Sequence, residues 1–272
     1  MPHLRRKNPR RAGPAGHPLQ QLQSSGGPTL FLAGTHEILP NNEFDTSPSI
    51  VFAKDLIKAY ELLPYQRLYL TAQEEEWLRK HGEANLPAYF QVVGNQTRTE
   101  IFNVGGVSVG VVAFPDLGIE YTAPSKDVVE EVWKKAKELR PQVKLLLGVS
   151  SWGVDNEREF LARAEPIFDI LLGGGVGRGL EGEVSGLGGT LHVRSMTKGK
   201  YLNIISIFAW PETASDKKWK LGLTVKSEMK ELGGETPDDP AFKGLLKDKS
   251  GFTPEPHKQQ GPDTSGVPTV NK

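Results

Sequence analysis

The sequence predicts an α/β fold in which two mixed sheets pack together with helices outside. Three observations carry that prediction. Val143 to Val149 is a nearly continuous apolar run, the pattern of a strand covered on both faces. Asp155 to Ala164 then has the amphipathic spacing of a helix, with Phe160, Leu161 and Ala164 on one side and Glu157, Arg158 and Arg163 on the other. Ile167 to Leu172 follows Pro166 as a second buried-strand pattern, so the stretch reads strand, helix, strand. Each strand runs into a turn, Ser150-Ser151-Trp152-Gly153 after the first and Gly173-Gly174-Gly175-Val176-Gly177 after the second. In open α/β sheets, ligands bind in loops at the carboxyl ends of strands, so these turns mark the candidate site.

The remaining elements fall in order around this unit. Thr29 to Thr35 is a strand pattern ending at Gly34-Thr35, followed by His36-Glu37 and a Pro40-Asn41-Asn42 loop. Ser47-Pro48 supplies a cap and a first-turn proline for a helix through Leu63, with Val51, Phe52, Leu56, Tyr60 and Leu63 as its stripe. Arg67 to Leu70 is a short strand, and Thr71 with Glu74 forms a capping-box pattern opening a helix whose apolar face begins at Trp77-Leu78. Leu86 to Val93 reads as a strand. Asn95 to Phe114 reads as a hairpin turning at Gly105-Gly106, with its second arm Val-rich and buried. Pro124 to Leu139 is a helix facing inward through Val128, Val129, Val132, Trp133 and Ala136. Gly189 to Ser195, Tyr201 to Trp210 and Lys218 to Lys226 are spaced as strands, with Lys198-Gly199-Lys200 as a turn.

Composition bounds the function classes. The chain has 272 residues with 33 basic and 33 acidic, so no overall charge draws it to a polyanion. It has no cysteine, which excludes disulfides, Cys-ligated metals and thiol catalysis. No apolar run reaches the length of a membrane span. The expected organisation is a basic tail over 1–28, a folded domain over 29–230 and a Pro/Gly/Lys/Asp-rich tail over 231–272. The first tail holds Arg5, Arg6, Lys7, Arg10 and Arg11 without an acid and reads as solvated; nucleic acid is not an expected partner. No apolar export segment follows those charges, which leaves localisation open.

Few residues offer chemistry. His36-Glu37 pairs a potential base with a carboxylate, although neighbours point apart in extended chain. His192, between Leu191 and Val193, reads as a structural histidine. Ser150-Ser151 lacks a base and the nucleophile-elbow spacing, and its hydroxyls suit a strand-end turn. The glycine run with Arg178 is a candidate anion cradle. Trp152 is expected to cap the core, with stacking on a ligand ring as the alternative.

In the order of its segments the chain resembles the 5'-nucleotidase/UDP-sugar hydrolase branch of the calcineurin-like metallophosphoesterases, and within it the UshA-like (seleno)protein group. Residues 29 to 210 carry the resemblance, above all Phe102-Asn103-Val104-Gly105-Gly106-Val107-Ser108-Val109-Gly110-Val111-Val112, Phe168-Asp169-Ile170-Leu171-Leu172-Gly173-Gly174 and Gly199-Lys200-Tyr201-Leu202. It implies a four-layer α/β/β/α sandwich of two mixed sheets, here lacking the first strand, and in the family a site of two divalent metals. The family's Gly-Asp falls at Gly34-Thr35, its Gly-Asn-His-Glu at Thr71-Ala72-Gln73-Glu74, and its Ser-His-x-Gly at Ser150-Ser151-Trp152-Gly153; both histidines of Gly-Gly-His-x-His fall at Gly175 and Gly177. Thr, Ser, Gln and Gly make a poor set for hard dications. The expectation is a degenerate metallophosphoesterase without a bound cofactor, acting as a binding or interaction module. Its candidate pocket is Thr35, His36, Gln73, Glu74, Ser151, Trp152, Gly174, Gly175 and Arg178. A nucleotide or other phosphate-containing molecule, or a protein, is the expected partner; the alternative is an active phosphoesterase on nucleotides or UDP-sugars with an atypical metal site.

Overall fold

A computed structural model describes residues 26–38, 50–82, 84–118, 122–162, 166–185, 189–195, 201–210 and 219–232, with Leu22, Phe242 and Leu245 besides. The greater part of both expected tails, the Pro40-Asn41-Asn42 loop, the Ser47-Pro48 helix opening, the Val51 and Phe52 side chains, Arg163, Ala164 and the Lys198 to Lys200 turn lie outside the described residues.

The architecture is mixed α/β. In chain order the elements are β1 (Leu32–Ala33), α1 (Ile50–Glu61), β2 (Arg67–Leu70), α2 (Ala72–His81), β3 (Phe90–Val92), β4 (Arg98–Val104), β5 (Val107–Ala113) and α3 (Lys126–Leu139). After a single turn of 3-10 helix come β6 (Leu145–Ser150), α4 (Val154–Leu161), β7 (Ile170–Gly173), β8 (Leu180–Ser185), β9 (Thr190–Arg194), β10 (Tyr201–Ile207) and β11 (Val225–Glu231). Strands β1, β2 and β3 form a parallel sheet in that order. The larger sheet has the order β4-β5-β6-β7-β9-β8, with β5, β6, β7 and β9 parallel and the two edge strands antiparallel to their neighbours. Strands β10 and β11 form an antiparallel pair. The first sheet is therefore uniformly parallel and only the second is mixed, which corrects the expectation of two mixed sheets. Each strand pair in the first sheet is joined through a helix, and such connections make neighbours parallel.

Three cores stack these layers. Side chains alternate across the pleat, so β5 and β6 send Val109, Val111, Ala113, Leu145, Leu147 and Val149 to one face. That face packs with Tyr69 and Val93 of the first-sheet region, Val225 of β11, and partly buried Leu30, Leu32, Ile205 and Ile207. The opposite face, through Val112, Leu146 and Leu171, meets Val129, Val132 and Ala136 of α3 and Phe160 and Leu161 of α4. The far side of the first sheet, through Ala33, Leu68 and Leu70, meets Ala53, Ile57 and Tyr60 of α1 and Trp77 and Leu78 of α2. Helices, sheet, sheet and helices thus follow one another.

Local signals explain most of the boundaries. Thr71 caps α2 with the reciprocal Glu74 bond, and Ser125 caps α3 by accepting from Val128 N. Gly105 and Gly106, at φ 58° and 85°, make the two-residue turn between β4 and β5. Three further expectations need correction. The strand expected over Lys218 to Lys226 begins only at Val225, because Lys220 to Thr224 fold into a turn closed by Thr224 N donating to Lys220 O at 2.9 Å. Strand β8 is absent from the pattern reading, since Leu180-Glu181-Gly182-Glu183-Val184-Ser185 is polar; it succeeds as an edge strand with a register shift between Leu180 and Glu183. Glu157, expected on the solvent side of α4, is fully buried.

Leu171, fully buried between the larger sheet and its helices, tests this packing. Leu171→Ala is expected to lower the unfolding free energy by about 3 kcal/mol in urea titrations, the cost of a core truncation that leaves a cavity.

Candidate functional site

The carboxyl ends of the parallel strands in both sheets converge. β1 ends at Gly34-Thr35-His36, β2 at Thr71, β5 at Phe114-Pro115-Asp116, β6 at Ser150-Ser151, β7 at the glycine loop and β9 at Arg194. The structure brings Thr35, His36, Gln73, Glu74 and Ser151 to this edge together with the glycine loop.

Glu74 organises the first-sheet side. Its side chain is buried and both carboxylate oxygens accept backbone N–H groups: Oε2 from Thr71 at 2.8 Å and His36 at 3.2 Å, Oε1 from Ile38 at 2.9 Å. The capping-box role expected of Glu74 is therefore enlarged: it also pins the chain leaving β1. His36 sits there at φ 66°, a left-handed conformation unusual outside glycine. Its Nε2 lies 3.3 Å from Asp116 Oδ1, and Ser151 Oγ donates to the same oxygen at 3.4 Å. Asp116 thereby joins β1 of one sheet to β5 and β6 of the other. Sequence reasoning misses it, although its place directly after the Val-rich β5 is the signal that marks strand-end residues.

The order of this chain of groups matters chemically. In a serine nucleophile the hydroxyl gives its proton to a base that a carboxylate orients. Here the carboxylate stands between serine and histidine, and His36 is not paired to Ser151. Beside it, desolvation by the groups around its carboxyl and, second, the Glu74 charge push Glu37 from 4.5 up to about 7, although the residue as a whole keeps an exposed surface. Gln73 Oε1 is enclosed without a hydrogen-bond partner among the described residues.

On the other side, the glycine loop is gripped from within. Arg194 is fully buried and paired with Glu157, whose Oε2 also lies 3.0 Å from His192 Nε2. The Arg194 guanidinium donates to the carbonyls of Gly174 at 2.8 Å, Gly175 at 3.2 Å, Val176 at 2.9 Å and Arg178 at 3.2 Å. Glu157 accepts from Gly174 N at 3.3 Å. Arg194, not Arg178, is thus the cation that shapes the loop; Arg178 is exposed and engages it through its own carbonyl. Sequence pattern could have found Glu157, because it stands three and four residues before Phe160 and Leu161, on the same helical face. Arg194 leaves no such mark in Thr190-Leu191-His192-Val193-Arg194.

Trp152 belongs to the core. It is buried against Phe114 and Phe160 and its Nε1 donates to Pro115 O at 2.8 Å, so it offers no ring for a ligand to stack on. His192 is the structural histidine the sequence suggests. Ser150 Oγ accepts from Trp152 N at 3.1 Å, the local turn bond expected of it.

Among the described residues no group of three or more His, Cys, Asp or Glu is placed to hold a metal ion. Thr35, Gln73 and Ser151 supply neutral oxygens, Glu74 is committed to backbone N–H groups, and the glycines bring no donor. This set does not fit a pair of divalent cations.

Two predictions test the two halves of the site. Glu157→Leu leaves the Arg194 charge buried without its partner and is expected to cost about 3–5 kcal/mol in urea unfolding; combined with Arg194→Met it should cost clearly less than the sum of the single changes. For Glu37, the folded protein binds its proton more tightly than the unfolded chain, so stability falls as pH rises from 4.5 towards about 7. Glu37→Gln removes that loss. It should raise the melting temperature relative to the parent at pH 8 but not at pH 4, by a small margin because the residue keeps an exposed surface.

No family model matches the chain, and no curated protein matches it. Among solved structures it is similar to a hypothetical protein from Thermus thermophilus, at 16% identity and a TM-score of 0.36, over 50% of this chain and 56% of that one. The chain therefore spans little more than half the length of that structure. A likeness of that degree assigns neither family nor activity.

Proposed function

We propose that the chain is a metallophosphoesterase-like α/β/β/α scaffold whose ligand positions have been given up, and that it serves as a non-hydrolytic binding module. One observation carries the reading. The positions that the resemblance aligns with the family's paired histidines are glycines with positive φ, 68° at Gly175 and 113° at Gly177, where the space for a side chain is taken. A Cβ at Gly175 would be driven into the Ser151 carbonyl oxygen, and one at Gly177 would meet Val154 Cγ1 at 2.5 Å. The space a side chain would need is filled at Gly175 by backbone and at Gly177 by the Val154 side chain.

The other positions agree in chemistry. Thr35, Gln73 and Ser151 replace charged or imidazole donors by neutral ones, and they gather at one edge of the two sheets. What such an edge retains is recognition: hydroxyl, amide and imidazole groups, the exposed Arg178 and loop backbone, suited to a phosphate-bearing small molecule such as a nucleotide.

The test is elemental analysis of protein purified with neither added metal nor chelator, paired with a phosphoesterase assay on nucleotides in manganese. Well under one equivalent of metal and no turnover is the expected result; about two equivalents with turnover would overturn the proposal and establish the hydrolase.

A further inference from the structure

The end of the β10–β11 pair carries a feature that the strand-end site does not use. Phe208 and Ala209 follow β10, and Lys220 to Thr224 form the turn that leads into β11. Phe208 N and Ala209 N both donate to Thr224 O, at 2.9 and 3.2 Å. Leu223 N and Thr224 N donate to Lys220 O at 3.0 and 2.9 Å, Lys220 N donates to Thr224 Oγ1 at 2.9 Å, and Gly222 N donates to Val225 O at 2.8 Å. Most of the turn's N–H groups are spent within it. Its side chains do the opposite: Phe208 is 61%, Leu221 47% and Leu223 72% exposed.

Below the turn the anchoring is firm. Trp219 is buried and its Nε1 donates to Asp169 O at 2.7 Å, while Val225 is fully buried. Basic groups flank the apolar tip. Lys220 and Lys226 are exposed beside it, and Lys144 Nζ stands 5.7 Å from the centre of the Trp210 ring. Lys226 also meets Glu228 at 2.7 Å, so among the described residues Lys220 and Lys144 are the flanking lysines that make no ion pair.

From this geometry we propose that the tip docks on the surface of an anionic lipid bilayer, with Phe208, Leu221 and Leu223 entering the interface and Lys220 and Lys144 meeting the headgroups. Two observations favour a bilayer over a protein groove. Most of the turn's N–H groups are bonded within it, as low-dielectric surroundings favour, and an exposed apolar turn flanked by lysines and next to a tryptophan matches the layered chemistry of a membrane surface. No helix among the described residues is long and apolar enough to cross a membrane, so this is surface attachment. The proposal does not rest on the reading of the strand-end site.

The test is co-sedimentation of the full chain with vesicles of phosphatidylcholine alone or containing about a third phosphatidylserine. Binding to the anionic vesicles is expected. It should fall at least about tenfold in the L221N/L223N variant and weaken as salt rises towards about 0.5 M. Both substitutions are at exposed positions, and an unchanged melting temperature shows that the variant is folded. Absence of sedimentation, equal binding by parent and variant, or equal binding to neutral vesicles would each overturn the proposal. So would light scattering without lipid in which the parent self-associates and the variant does not, since the tip would then be covered by a second copy.

Discussion

The buried pairing of Glu157 with Arg194 is the constraint on which the strand-end geometry depends. Two full charges lie out of water, and they are tolerable there because each is also hydrogen-bonded: Glu157 to His192 and Gly174, Arg194 to four carbonyls of the glycine loop after β7. Such a knot fixes direction as well as position. With its carbonyls turned towards Arg194, the loop after β7 has one orientation open to it, and α4 is locked to β9 across the intervening strand. Gly173 is required at the centre of this arrangement, because a Cβ there would collide with the Glu157 carboxylate.

A second tie, weaker and more exposed, runs between the sheets through His36, Asp116 and Ser151. Its strength is borrowed from Glu74, which holds the chain after β1 by its backbone while the His36 side chain reaches across. The two ties meet at Ser151, whose hydroxyl faces Asp116 and whose carbonyl lies beneath Gly175. Any group seated at this edge would touch the structure where it is most constrained, which favours selective recognition over adaptability.

Much of the scaffold is legible in the sequence and the electrostatics are not. Strand β2, the capping box at Thr71, the β4–β5 hairpin and the inward face of α3 follow from local patterns, and each is present. Periodicity reads burial from hydrophobicity, so it goes blind where a charge is buried: Glu157 reads as solvated and Arg194 passes unmarked because the two stand 37 residues apart in the chain. Asp116 escapes for the same reason, since its meaning comes from His36 and Ser151, which only the tertiary fold brings near. Strand β8 is hidden by its polarity, which an edge position permits.

The brevity of β1 has a consequence for motion. Only Leu32 and Ala33 pair in its ladder, so beyond its core packing the polar anchors of the segment from 26 to 38 include Gln66, which meets Phe31 on both sides, Glu74 and Asp116. Segments so attached open locally at a fraction of the global unfolding free energy. Amide hydrogen exchange at Leu32 and Ala33 would then report on the Glu74 carboxylate rather than on the sheet. Whatever binds against Thr35 and His36 would slow that exchange, giving this edge a built-in gauge of occupancy.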